Sequence, residues 1–213
     1  MTLSITVNTH FDFSHIQGVI FDLDGTLADS NPDFEGLRQE LGIKSGTDIL
    51  AHIESITDTV QAAKIKEIVE RYELASSNRA TWIAGAEQLI ELFTQLQLPQ
   101  AILTRNTPQA AAITLANLGL DLELVLTRLD AKAKPHPEGV ELICQKWQLE
   151  PANILFIGDY LYDLQTANNA GTKSVLYSPV LIPDYASQAD IVCRCYISLI
   201  EYFNTQLQDS TCG

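Results

Sequence analysis

Two aspartates, Asp22 and Asp24, stand two residues apart in the run FDLDGTL at 21–27, where an apolar stretch meets an Asp-Gly pair that signals a turn. Carboxylates this close repel, so the pair asks for a cation or a shared proton. A hard ion such as Mg²⁺ takes oxygen ligands, few of them from protein, which leaves positions for water and substrate phosphate. Asp159 and Asp163 lie in IGDYLYD at 157–163, one helical turn apart, and can face the same ion or its waters. Gly25 lets the backbone approach a phosphate closely, and Thr26 adds a hydroxyl. In Thr104-Arg105-Asn106, the Thr104 hydroxyl and the backbone N–H groups beyond it suit phosphate oxygens. Lys134, in Lys-Pro-His-Pro, offers an ammonium stiffened by Pro135, and a positioned cation offsets the charge of nucleophile and phosphate together.

Taken singly, each feature has a plainer reading. Asp-X-Asp-Gly can simply end a strand. Asp159 and Asp163 can cap and charge a helix start. Thr104 to Asn106 can open a helix capped by Thr107, and Lys134 can be a solvated loop lysine with Lys132 as competitor. His136 reads as a surface loop residue. The elements decide between these readings. Residues 18–23, 100–104 and 153–157 read as short buried strands, and the candidate residues fall at or just past their carboxyl ends. Three strand ends of matched polarity point to one metal and phosphate site.

Helices alternate with these strands. Leu89, Leu92, Phe93 and Leu96 mark one face; Thr107, Pro108 and Gly119 punctuate the next helix; Val140, Ile143, Cys144 and Trp147 mark a third. Further strands are predicted at 122–126, 173–177 and 190–193, a helix ending at Gly171, and a closing helix at 197–207. Apolar strands alternating with helices predict an α/β fold, a Rossmann-like parallel sheet covered on both faces, with its ligand site beyond the carboxyl ends. Residues 33–81 break this rhythm with three predicted helices, 32–41, 47–56 and 59–76, and no strand. The expected division is a catalytic core of 1–32 and 82–213 and a small helical cap of 33–81. Residues 209–213 read as a loose tail.

The chain has 213 residues, 27 acidic against 13 basic, for a formal charge of -14. That field repels nucleic acid and anionic membranes, and any phosphate site inside it needs strong local positive charge. Cys144, Cys193, Cys195 and Cys212 form no CxxC pair, and alternation puts Cys193 and Cys195 on one face of a strand. Residues 1–15 lack the apolar core of a signal peptide, and no run reaches membrane-spanning length. The expectation is a cytoplasmic protein with free thiols, monomer or homodimer.

The chain resembles the haloacid dehalogenase-like hydrolase superfamily, in the phosphoglycolate-phosphatase-like branch with a helical cap after the first strand. FDLDGTL at 21–27, ILTRN at 102–106, Lys134 in AKPHPEG and IGDYLYD at 157–163 match its four motifs in order. The resemblance implies that Asp22 attacks phosphorus to give an aspartyl-phosphate. It implies that Asp24 protonates the leaving group and then activates water. Thr104 and Lys134 would hold the phosphoryl group. Mg²⁺ would sit on the Asp22 and Asp159 side chains and the Asp24 carbonyl, with Asp163 beside or behind them. Dehalogenases of this family lack the second aspartate, so Asp24 argues for phosphate chemistry. Arg105 departs from the pattern, since many relatives carry asparagine directly after the hydroxyl residue, and the cap is short. The expected activity is Mg²⁺-dependent hydrolysis of a small phosphorylated metabolite, phosphoglycolate or a sugar phosphate. The alternatives are a phosphomutase with the same motifs and a non-catalytic phosphate-binding protein. The cap offers Arg38, Lys44, Lys64, Lys66, Arg71 and Arg79 as anion contacts, each reading better singly as a solvated surface charge.

Overall fold

The sequence begins with a three-residue strand, β1 (Ile5–Val7), and then enters the sheet proper at β2 (Gly18–Phe21). The structure, a computed structural model, describes residues 4–211. After β2 come a two-residue strand, β3 (Ala28–Asp29), and three helices, α1 (Phe34–Leu41), α2 (Ile49–Ser55) and α3 (Thr59–Ser77). The chain returns through β4 (Thr81–Trp82), α4 (Ala86–Gln95), β5 (Gln100–Leu103), α5 (Pro108–Leu118) and β6 (Leu124–Leu126). It closes with α6 (Glu138–Trp147), β7 (Ile154–Gly158), α7 (Leu161–Ala170), β8 (Lys173–Tyr177), β9 (Ile191–Cys193) and α8 (Tyr196–Thr211).

Seven strands form one sheet in the order β1-β9-β8-β7-β2-β5-β6, parallel throughout except for β1. The chain winds outward from β2 through β5 to β6, then returns to the other side of β2 with β7. That reversal opens a crevice beyond the carboxyl end of β2, where ligands bind in such sheets. The pleat sends Val19 and Phe21 into a core closed by α4, α5 and α8, and Ile20 into a second core closed by α6 and α7. On the first face Phe13 stacks on Phe203 with ring centroids 4.3 Å apart. Burying both faces explains why β2, β5, β7 and β8 are nearly continuous apolar runs.

The helix signals act where the sequence places them. Thr107 caps α5 by accepting from the Ala110 N–H, Pro108 opens the helix, and Gly119 ends it at φ 64°. In the insertion Asp33, Asp48 and Asp58 cap α1, α2 and α3 in turn. Leu37, Ile49, Ile53, Ile65 and Val69 from those helices bury a small core of their own.

Several features go beyond the sequence reading or correct it. Strand β1 adds an antiparallel edge, and β3 pairs with β4 where the chain leaves and regains the sheet. Cys193 and Cys195 do not share a strand face: β9 ends at Cys193, whose Sγ lies 3.1 Å from the Cys195 carbonyl, and burial pushes its thiol up to about 12. The expected tail at 209–213 is helical through Thr211, while Cys212 and Gly213 lie outside the described residues. Among the described residues, no helix is long and apolar enough to cross a membrane.

Candidate active site

Asp22 leaves the carboxyl end of β2 with its backbone N–H still bonded to the Ile157 carbonyl of β7. The chain then turns within six residues. Gly25, at φ 82°, donates its N–H to the Ala28 carbonyl at 2.8 Å, and Leu27 and Ala28 both donate back to Leu23. This turn separates the two aspartates that a continuing strand would have kept on one face. Asp22 meets the Lys134 ammonium at 2.5 Å. Asp24 accepts instead from the Ser30 hydroxyl and, at 2.5 Å, from the Asn106 side-chain amide.

Lys134 is buried and bonded twice, to Asp22 Oδ1 at 2.5 Å and to Asp163 Oδ1 at 2.6 Å. Asp163, on the first turn of α7, accepts the Tyr160 N–H at 2.9 Å with its other oxygen. Gly158 permits that approach, because a Cβ there would lie 2.3 Å from the Asp163 side chain. Asp159 directly follows β7 and accepts a long hydrogen bond from Thr26 Oγ1 at 3.4 Å. Tyr196 fixes the same turn from beneath by donating to the Thr26 carbonyl at 3.0 Å. Buried Thr104 follows β5, and its hydroxyl oxygen accepts the Asn106 N–H at 3.2 Å.

The electrostatics follow from this crowding. Burial and the Asp163 charge push the Asp22 carboxyl up to about 7, although Lys134 pulls the other way. Burial, then Asp22 and Asp163, hold the Asp159 carboxyl well above the usual carboxylate range. Burial also raises Asp24, against its hydrogen bonds from Ser30 and Asn106. Oxygens of Asp22, Asp159 and Asp163 lie within 4.8 Å of one another. Three carboxylates against one ammonium leave an uncompensated negative charge, which suits a dication. Asp163 has both oxygens engaged, so Asp22 and Asp159 are the better-placed ligands. The space beside Asp159 exists only because residue 25 has no side chain: a Cβ there would lie 2.3 Å from Asp159 Oδ2. From this side a cleft of ≈ 610 Å³ runs past Gly25 and Asp159 to Trp82, Tyr177 and residues 178–181.

That glycine gives a direct test. Gly25→Ala is expected to cost about 1–3 kcal/mol from its positive φ, beyond the clash. It should also displace Asp159 and reduce the rise in melting temperature that Mg²⁺ produces. An unchanged Mg²⁺ response in calorimetry would show that the Asp159 carboxylate takes no part in binding the ion.

Arg105 is the sequence-predicted residue whose side chain lands elsewhere. Its guanidinium does not turn to Asp22; it binds both Asp48 oxygens, at 2.7 and 2.9 Å, and stacks 4.5 Å from the Tyr162 ring. Only its backbone N–H remains for a phosphate. His136 is exposed and Lys132 pairs with Glu138 at 3.8 Å, so Lys134 is the lysine brought to the carboxylates. Ser30, Asp48 and Tyr162 were not legible as site residues. Asp48 carries the signal of a helix cap, and Ser30 carries none.

A family model for haloacid dehalogenase-like hydrolases matches residues 35–177. The chain belongs to the haloacid dehalogenase-like hydrolases. It is 31% identical over 161 residues to a haloacid dehalogenase-like hydrolase domain-containing protein of Arabidopsis thaliana, covering 70% of this chain and 65% of that one. It thus spans slightly less than two thirds of that relative. An N-acetylmuramic acid 6-phosphate phosphatase of Pseudomonas putida is 27% identical, with 75% of this chain and 81% of the relative covered. A phosphoglycolate phosphatase of Chromobacterium violaceum is 29% identical, with 77% and 86% covered. Among solved structures, a hydrolase from Pseudomonas syringae superposes with a TM-score of 0.75 at 23% identity, over 89% of this chain and 98% of that one. That likeness carries the fold of the hydrolase family: the mostly parallel sheet and the helices around it.

Proposed function

We propose that this hydrolase is a Mg²⁺-dependent phosphatase that removes phosphate from a small phosphorylated metabolite through an aspartyl-phosphate on Asp22. The observation that carries the reading is the division of labour between the two aspartates. Asp22 faces Lys134 and the other carboxylates, while Asp24 is turned away onto Ser30 and Asn106. A nucleophile beside a fixed cation and a separate proton carrier are what stepwise phosphoryl transfer needs. The phosphatase names of the relatives from Pseudomonas putida and Chromobacterium violaceum agree with it.

In this reading Thr104, the backbone N–H groups of Arg105 and Asn106, and Lys134 grip the phosphoryl oxygens. Asp22 attacks phosphorus as the bond to the substrate oxygen breaks, and Asp24 gives that oxygen its proton. Burial favours its protonated form more than in an exposed carboxyl. Asp24 then takes a proton from water, the water oxygen attacks the aspartyl-phosphate, and phosphate leaves with Asp22 restored. Mg²⁺, held by Asp22, Asp159 and the Asp24 carbonyl, would neutralise charge on the phosphate. Asp163 acts behind them by holding Lys134. Residues 33–81 serve as a cap over a core of 1–32 and 82–213.

A panel of phosphorylated metabolites with Mg²⁺ tests the proposal, with phosphate release and phosphorus NMR as the readouts. Release of inorganic phosphate from at least one compound, abolished by chelator, is the expected outcome. Isomerised sugar phosphate in place of free phosphate, or no turnover of any compound, would reject it.

A further inference from the structure

The chemistry proposed above uses Lys134 and leaves Arg105 without a part beyond its backbone. Arg105 follows Thr104 at the end of β5, and Tyr162 opens α7 after β7. Those two strands are the neighbours of β2. The stacking of Arg105 on Tyr162 at 4.5 Å therefore lies across the end of the strand that carries Asp22. Asp48 reaches the guanidinium from α2 of the insertion. The trio thus stands at the same carboxyl edge of the sheet as Asp22, where the insertion meets it.

The Arg105–Asp48 pair is made so that it can part. Asp48 Oδ1 also caps α2, accepting from the Leu50 and Ala51 N–H groups at 2.9 and 3.2 Å. Arg105 has a second partner besides Asp48, the Tyr162 ring 4.5 Å away. Both side chains keep 22% exposure, so solvent reaches the pair. Lys134 and Asp22, at 3% and 11%, have no such freedom. The Asp48 site also has the right charge for a stand-in. Burial raises its carboxyl, but the Arg105 hydrogen bond and charge, with hydrogen bonds from Ala51 and Tyr162, outweigh this and hold it below the usual range. In a chain of formal charge -14, an oriented guanidinium beside the site is a scarce feature.

We propose that Arg105 is a specificity residue that binds a carboxylate on the organic part of the substrate, and that Asp48 occupies this position until the substrate arrives. The proposal rests on the phosphatase reading. A planar guanidinium held flat by an aromatic ring matches a carboxylate through two parallel hydrogen bonds.

The test compares 3-phosphoglycerate with glycerol 3-phosphate, which has a hydroxymethyl group in place of the carboxylate. p-Nitrophenyl phosphate serves as a generic substrate. Wild type is expected to prefer 3-phosphoglycerate in kcat/KM. Arg105→Gln should narrow that preference about tenfold or more, chiefly through KM, the scale of one charged hydrogen bond. Arg105→Lys, which keeps the charge and loses the fork, should fall between. Asp48→Asn, which weakens the internal competitor, should lower KM for 3-phosphoglycerate more than for glycerol 3-phosphate. If wild type hydrolyses both without preference, or Arg105→Gln slows both by one factor, Arg105 only ties the insertion to the sheet and the proposal is overturned. If wild type with Mg²⁺ hydrolyses none of the three but releases phosphate from another compound of the panel, the proposal is overturned and the phosphatase reading stands; no turnover of any compound ends both.

Discussion

Asp22→Asn is expected to abolish turnover while leaving the fold intact. An amide in place of the nucleophile cannot form the aspartyl-phosphate, and losing a nucleophile costs about 10⁶-fold in a well-studied hydrolase. Stability should move the other way. Asp22 is 8% exposed and shares its surroundings with Asp159 and Asp163. Burial and Asp163 raise its carboxyl, so in metal-free protein the folded state disfavours its charge. That penalty grows as pH rises from the ordinary carboxylate range towards 7. The neutral amide removes it, and Lys134 still has Asp163 at 2.6 Å. Calorimetry at pH 8 with chelator should therefore find the variant at least as stable as wild type. Retained activity would remove Asp22 from the chemistry, and a large fall in melting temperature would contradict the charge argument.

Lys134→Met is expected to have the largest effect on stability. Lys134 is 4% exposed, and its ammonium is the fixed cation bonded to two of the three clustered carboxylates. Methionine fills much of the volume but strands Asp22 and Asp163 in the interior. Breaking a buried pair in this way costs about 3–5 kcal/mol. At about 2–4 °C per kcal/mol for a chain of this length, the melting temperature should fall by about 6–20 °C. Mg²⁺ should return part of the loss, because a dication can replace the missing charge, whereas wild type should gain less. A variant as stable as wild type in chelator would mean that the carboxylates need no cation, and the metal assignment would lose its physical basis. Turnover should fall as well, since Lys134 is also placed on the phosphoryl oxygens.

The sequence was readable where a signal is local. Apolar runs ending in Asp22, Thr104 and Asp159 locate three strand ends, and Thr107-Pro108 with Gly119 bounds α5 closely, because caps and pleats act over a few residues. Lys134 could be singled out by its prolines, although its two carboxylate partners depend on the folded sheet. The destination of Arg105 was hidden. Asp48 is 57 positions earlier and looks from the sequence like a helix cap, which it also is. Ser30 gives no sign in the chain that it will reach Asp24. Strand β1 and the β3–β4 pair are too short, at three and two residues each, for periodicity to reveal.

The β3–β4 pair has a consequence for how this protein can change. Ala28 lies opposite Trp82 and Asp29 opposite Thr81, so the chain departs from the sheet and comes back at touching positions. Everything between resembles the loop of a hairpin, whatever its length, and loop closure costs little more for a long excursion than for a short one. A different set of helices could be spliced in after Ser30, which must stay to hold Asp24, without moving a residue of the carboxylate cluster. Evolution can thus exchange the part that meets the organic group while the phosphate chemistry stays where it is, and a protein engineer can use the same two joints.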